Sequence, residues 1–254
     1  MALFLFKLIG APLFLAAATL AARRWGETVG GLIIALPLVS GPISVVLAVE
    51  HGADFAVNAA LGSLVGTAAL AFFGVVYAAV CPRGRIVAIL TGLTAFAAAS
   101  WILKALNLSL WPLFILTVVL LMVGAYFIPV SKASAKPQRP PKYDLCLRMG
   151  FMALMMLAVT GAAPFIGPEV SGIVSSFPMM ALTMALFAQT QNGAGEAQNV
   201  MAGLVKGLLS GAVFYWVLSL TLTDAALWQG YAAASVVTLI LQGFVLYTLR
   251  RGRR

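Results

Sequence analysis

Residues 26–73 read GETVGGLIIALPLVSGPISVVLAVEHGADFAVNAALGSLVGTAALAFF, and residues 167–214 read GPEVSGIVSSFPMMALTMALFAQTQNGAGEAQNVMAGLVKGLLSGAVF. A shift of 141 positions lays one on the other without a gap, and twelve positions are then identical. They are Gly26/Gly167, Val29/Val170, Gly31/Gly172, Pro37/Pro178, Gly52/Gly193, Ala53/Ala194, Ala56/Ala197, Asn58/Asn199, Gly62/Gly203, Gly66/Gly207, Ala71/Ala212 and Phe73/Phe214. Chance supplies Ala and Leu matches readily in an apolar chain. It does not readily supply a Pro, an Asn and five Gly in register. The chain therefore contains an internal repeat, which governs every later reading.

The repeat lies in a membrane protein. The chain of 254 residues is 62% hydrophobic and 9% charged, with a mean hydropathy of +1.03. Soluble domains carry about 25% charged residues. Most stretches between charges reach the roughly 20 apolar residues that cross about 30 Å of hydrocarbon. They show no alternation of period two, so helices rather than barrel strands are expected. We read an all-α integral membrane fold of about nine spans, near 4–22, 28–49, 55–80, 86–103, 109–129, 147–163, 170–189, 198–222 and 226–249. Lys104, Asn107, Ser109 and Trp111-Pro112 divide residues 86–129 into two spans. The first span follows Lys7 and carries Ala16-Ala17-Ala18, as a secretory signal would; it is read as a retained span.

Thirteen of the 16 basic residues fall in alternate loops, from Arg23-Arg24 through Arg83 and Arg85, the segment 132–148, and Arg250 to Arg254. Lys and Arg excess marks the cytoplasmic face, so the expected orientation is N-out and C-in. The net charge of +9 is thus a topology signal. It argues for loose attraction to anionic lipid rather than a nucleic-acid partner. Cys81 and Cys146 lie beside cytoplasmic basic clusters, where neither a disulfide nor a zinc site is expected.

Residues 131–144, SKASAKPQRPPKYD, form a polar linker. They separate a first unit, 1–130, from a second, 145–254. Five spans precede the linker and four follow. The odd offset makes the second span and its partner, the seventh, run in opposite directions. Two inverted-topology repeats (5+4) are the expectation, an arrangement found in alternating-access carriers.

Pro37 and Pro178 fall near the centres of the second and seventh spans. A Pro inside a helix removes a donor and clashes with the carbonyl four residues back. Broken backbone is tolerated at membrane depth only inside protein or beside a wet cavity. A substrate site is therefore expected at Pro37, Ser40 and Ser44, facing Ser175, Ser176, Pro178 and Thr183. Kinks satisfied by neighbouring hydroxyls would be the purely structural alternative. Gly62-xxx-Gly66 and Gly203-xxx-Gly207-xxx-Gly211 read as packing seams. Asn58 and Asn199 precede them by a turn and would tie each broken helix to its neighbour or touch substrate. Lys206 lies two turns inside the eighth span, where its mate is Val65. It either faces the bundle interior and serves an anion or a coupling proton, or snorkels to headgroups. Gly52 and Gly193 supply turn geometry, and His51 is a solvated loop residue. Glu27 and Glu169 read as helix-start acids. One His, seven acids and no metal-ligand spacing argue against an enzyme, and no cofactor is expected.

The second copy, with Phe177-Pro178-x-x-Ala181-Leu182, the Asn192-Gly193 turn, Ala197 and a Gly-rich span, resembles the GlpM-like group of small bacterial membrane proteins over residues 167–222. In the first copy Ser40-Gly41 departs from that pattern. The resemblance implies a bacterial inner membrane and an envelope or exopolysaccharide setting. It transfers no substrate. The expected function is a secondary transporter of a small polar or anionic solute, with H+ or Na+ as candidate coupling ion. An accessory protein of envelope assembly and a lipid flippase are the alternatives.

Overall fold

The computed structural model describes residues 9, 11–38, 40–131, 143–162, 173–222 and 227–251. Expectations that fall on Lys7, residues 132–142, Gly167, Glu169, Val170 and Gly172 lie outside these, as does the side chain of His51. The described residues are helical, with no strand. We number the helices α1 (Ala11–Trp25), α2 (Glu27–Ile34), α3 (Ser40–His51), α4 (Ala53–Val80), α5 (Arg85–Ala105), α6 (Leu110–Phe127), α7 (Asp144–Ala162), α8 (Met179–Asn192), α9 (Ala194–Thr221) and α10 (Leu227–Arg251). A single 3₁₀ turn, Cys81–Arg83, links α4 to α5.

Among the described residues, six helices are long and apolar enough to cross a membrane: Ala53–Arg83, Arg85–Ala105, Leu110–Phe127, Ile173–Asn192, Ala194–Thr221 and Leu227–Thr248. The other three expected stretches correspond to α1, to the α2–α3 pair and to α7. The α2–α3 stretch is interrupted after Ile34, so neither piece is long enough alone. The division of 86–129 is present, and Asn107 turns the chain there with φ 45°.

The sequence repeat recurs in the backbone. Helix α4 spans Ala53–Val80 and α9 spans Ala194–Thr221, 28 residues each at the same offset of 141. Gly52 and Gly193 precede them with φ 88° and 90°. A side chain is strained in that conformation, which accounts for Gly at both. At the breaks, Leu36 N–H bonds Ile33 O at 3.2 Å and Phe177 N–H bonds Val174 O at 3.1 Å. Leu38 N–H bonds Leu36 O across Pro37, and Met179 N–H bonds Phe177 O across Pro178, both at 2.7 Å. Each proline thus sits inside a tight three-residue turn. Its missing N–H is where the helical ladder would otherwise have continued.

The two long helices form the centre and cross antiparallel. Cys81 Sγ meets Ala194 O at 3.6 Å, and Gln198 Nε2 donates to Ala78 O at 3.0 Å. Gly74 faces Val205, and Ser63 faces Tyr215. As numbers fall along α4 they rise along α9. Each long helix also receives the break of the other copy. A Cβ added at Gly66 would lie 2.5 Å from Ser176 Cβ and 3.2 Å from Ile173 O. One added at Gly207 would lie 2.7 Å from Ala35 Cβ and 3.1 Å from Leu32 O. These partners are again related by 141. The contact is closed because both positions lack a side chain.

Helices α5, α6 and α10 pack around this pair. Their most apolar windows are 28%, 22% and 28% buried, against 67% and 72% for α4 and α9. Ile86, Leu90, Ile115, Val119, Leu239, Ile240 and Phe244 are exposed along them. Such apolar outer faces suit contact with lipid rather than water.

Candidate functional site

A cavity of about 70 Å³ lies between the two breaks. At roughly 10–15 Å³ per water position, that is room for about five waters. Its lining comes in matched pairs: Ile34/Ser175, Ala35/Ser176, Leu36/Phe177, Pro37/Pro178, Ser40/Ala181, Thr67/Leu208 and Leu70/Gly211. Tyr215 and Leu204 of α9 complete it with Met179 and Met180. The cavity therefore sits where the two copies meet.

The framework is paired, but the polar groups are not. Ser175, Ser176, Ser40 and Thr67 each have an apolar mate, and the mate of Tyr215 is Gly74. These hydroxyls form a chain across both copies. Tyr215 Oη donates to Ser40 Oγ and also reaches Ser63. Ser63 Oγ lies 3.3 Å from Ser175 Oγ, and Ser176 Oγ donates to Ser63 O at 3.3 Å. Tyr215 is 2% exposed, so its hydroxyl needs such partners. Thr67 is turned onto its own helix, donating to Ser63 O at 2.8 Å.

Of the residues singled out by sequence, Pro37, Ser40, Ser175, Ser176 and Pro178 meet at this cavity. Five others stand elsewhere. Ser44 pairs with Tyr231 Oη at 2.8 Å, on the side of α10. Thr183 bonds back to Met179 O at 2.7 Å inside α8. Among the described residues, Asn58 and Asn199 do not tie the broken helices to their neighbours. Asn58 donates to Asp54 O at 3.0 Å and Asn199 to Glu196 Oε2 at 3.2 Å, each within its own helix. Lys206 does not line the cavity. It is half-buried and shares one stripe of α9 with the half-buried Leu209 and Val213.

Sequence reasoning missed Tyr215, whose mate is Gly74 and whose surroundings, Val213-Phe214-Tyr215-Trp216-Val217, read as plain apolar helix. It also missed two features away from the centre. One is a pocket of about 220 Å³ at the end of the bundle that carries the α5–α6 turn, lined by Asn58, Gly62, Val65, Lys104, Asn107 and Ile173 among others. Gly66 and its contact with Ser176 lie one turn beyond Gly62, between this pocket and the central cavity. On α9 the residue matched to Gly62 is Gly203, where the helices are closed. An added Cβ on Gly203 would lie 2.0 Å from Thr28 O and 3.0 Å from Leu32 N.

The other feature is a buried charge cluster at the opposite end. Asp144 is 1% exposed and Arg148 3%. Arg148 Nε donates to Asp144 Oδ2 at 3.0 Å, and Arg23 of α1 also pairs with Asp144. Gln191 of α8 bridges them, donating to Asp144 and accepting from Arg148 at 3.3 Å. Arg148 lies over the Phe187 ring at 4.9 Å. The i,i+4 spacing of Asp144 and Arg148 was a legible sign, hidden by their place at the edge of a polar linker. Glu27 stands beside this cluster. Gly26 precedes it, and no side chain caps α2. Glu27 Oε2 is buried without a hydrogen-bond partner among the described residues.

Neither a protein-family model, nor a characterised protein, nor a solved structure matches the chain.

Proposed function

We propose that the chain is an alternating-access carrier of a small polar solute, with about nine spans in two inverted repeats, N-out and C-in, in a bacterial inner membrane. One observation carries the reading: the central cavity is lined by residues paired at the repeat offset, at two helix breaks of the same hydrogen-bond pattern. The antiparallel crossing of α4 and α9 supports inversion, because equivalent helices then traverse the membrane in opposite senses. Among the described residues the lining offers hydroxyls, backbone and apolar surface and no cation. That favours a neutral polar solute over an anionic one. The pocket at Asn58 and Lys104 lies at the outer end, separated from the cavity by the Gly66–Ser176 contact, and the Gly203 contact closes the inner end. The arrangement is that of a carrier closed to the cytoplasm. The resemblance of residues 167–222 to the GlpM-like group supports the bacterial inner membrane and nothing finer.

Thiol labelling tests this. Ser40→Cys in a Cys146→Ser background would be exposed to a membrane-impermeant maleimide in right-side-out and inside-out vesicles. Pro137→Cys serves as the marker of the cytoplasmic side. A carrier shows reaction of Ser40→Cys from both sides. A cysteine that reacts from neither side would leave a sealed packing core and refute the carrier.

A further inference from the structure

Glu27 is the group that the fold leaves unexplained. It starts α2, one residue before the 28–49 stretch, and α2 ends at the break that lines the cavity. One carboxylate oxygen is buried and lacks a partner among the described residues. Buried polar atoms in folded proteins are nearly always paired, so an orphan calls for a cause. An ionised carboxylate left in that position would lose its hydration and gain no hydrogen bond. A protonated one avoids most of that cost.

The surroundings are charged on three sides. Helix α1 presents Arg23, α7 presents Asp144 and Arg148, and α9 presents Glu196. Helix α8 carries no charged residue, and those of α10 are Arg250 and Arg251 at its end. Arg23, Asp144, Arg148 and Gln191 already satisfy one another. Their bonds join α1 of the first unit to α7 and α8 of the second. The cluster is a charged latch over the closed inner end.

We infer that Glu27 is a proton-binding site, and that its neutral form is the one the closed inner end accommodates. This rests on the carrier reading and deepens it. When the carboxyl releases its proton to water at the cytoplasmic face, the carboxylate left behind requires either water or the Arg148 guanidinium. Either demand draws against the Asp144–Arg148 pair and favours an open inner end. Uptake of a proton from water restores the closed form. Burial pushes the Glu27 carboxyl up from 4.5 to about 7, with Arg148 and Arg23 opposing and Glu196 and Asp144 reinforcing. The exchange therefore falls at physiological pH. Of the two candidate coupling ions, the arrangement takes H+.

Two measurements on the full-length chain in nanodiscs and vesicles test it. The carboxylic-acid stretch, followed by infrared spectroscopy against pH, should show a component with a midpoint near 7 that Glu27→Gln lacks. No such component, or one that persists in Glu27→Gln, overturns the site. Labelling of Ser40→Cys from the cytoplasmic side, divided at each pH by that of the exposed Pro137→Cys so that thiolate ionisation cancels, should then be about tenfold greater at about pH 8 than at about pH 6, since one linked proton shifts an equilibrium up to tenfold per pH unit. In Glu27→Gln, a neutral side chain of the same shape, that ratio should stay low at both. A ratio that responds to pH equally in Glu27→Gln, or that ignores pH in the parent, overturns the latch and leaves the carrier standing. Failure of Ser40→Cys to react from either side at any pH removes the carrier, and with it this role.

Discussion

The glycines that hold α9 against α2 allow a graded prediction. Three of them can be replaced by Ala, with Gly243 of α10 as a reference, and the space each Cβ would meet is known. At Gly203 it falls 2.0 Å from Thr28 O and 3.0 Å from Leu32 N. Both are backbone atoms of α2 and cannot rotate away, so the helices must part by about 1 Å or more. Overpacking of that kind costs about 1–3 kcal/mol, and a rigid backbone clash belongs at the upper end. Ala returns up to about 1 kcal/mol of helix propensity. The net loss at Gly203→Ala is therefore about 2 kcal/mol. At Gly207 the first contact is a side-chain carbon, Ala35 Cβ at 2.7 Å, and the net loss should be nearer about 1 kcal/mol. At Gly211 the only contact is Ala35 O at 3.4 Å, which is ordinary, so Gly211→Ala should be neutral. At Gly243 no atom lies within 4 Å, and Gly243→Ala should gain up to about 1 kcal/mol. Reversible unfolding in mixed micelles, titrated with SDS, reads all four on one scale. The order is what the structure dictates. A Gly203→Ala chain as stable as its parent would mean that α2 does not lie on α9 at that distance, and the pairing of the breaks with the opposite long helix would fall with it.

Two further outcomes follow from the charged end. Asp144→Asn leaves Arg148 buried without its carboxylate, and breaking a buried pair in this way costs about 3–5 kcal/mol; the same SDS titration should show it, and a loss below about 1 kcal/mol would place Arg148 in solvent. The stability difference between Glu27→Gln and the parent should depend on pH in a definite sense. A carboxyl raised from 4.5 to about 7 is disfavoured when ionised in the folded state, so the parent loses stability as pH climbs through that window. Each unit is worth about 1.36 kcal/mol, which sets a ceiling of about 3 kcal/mol. Glu27→Gln should match the parent near pH 4 and exceed it above pH 7, and a constant difference across that range would refute the raised carboxyl.

Much of the framework was legible because it rests on residues with few conformational options. Pro37 and Pro178 break helices wherever they stand mid-span, and Gly52 and Gly193 take a backbone that other residues avoid. The offset between the copies carried the element bounds with it, so the 28 residues of α4 predict the 28 of α9. The site was only partly legible. Ser40, Ser175 and Ser176 are next to the prolines in sequence and so were found. Tyr215 reaches the cavity from a helix whose register against α4 no local pattern encodes. Asn58 and Asn199 were misread because an amide near a helix start can bond its own helix as readily as a neighbour. Glu27 was read as a helix-start acid because sequence shows position along a helix and not what closes over it. Lys206 drew attention by its cost at depth, yet it lies on the half-buried stripe of α9 and outside the cavity lining.

On the carrier reading, the division between a paired framework and unpaired polar groups has a physical consequence. Contacts such as Gly66 with Ser176 and Gly207 with Ala35 are equivalent and both are made here, so parting the helices at one end costs about what it costs at the other. Two conformations built from exchanged equivalents lie close in energy, and a small bias then moves the population. The hydroxyls of Ser40, Ser63, Tyr215, Ser175 and Ser176 need no counterparts, because the cavity lies where the copies meet and serves both conformations. The Arg23–Asp144–Arg148 cluster is different. It ties α1 to α7 and α8 at the inner end through charges rather than through close helix packing. A buried pair of that kind, left fixed, would hold the inner end shut. A neighbouring carboxyl that changes charge near neutral pH is the least demanding way to make such a latch reversible, since it alters the partners available to Arg148 without altering the packing of a single helix.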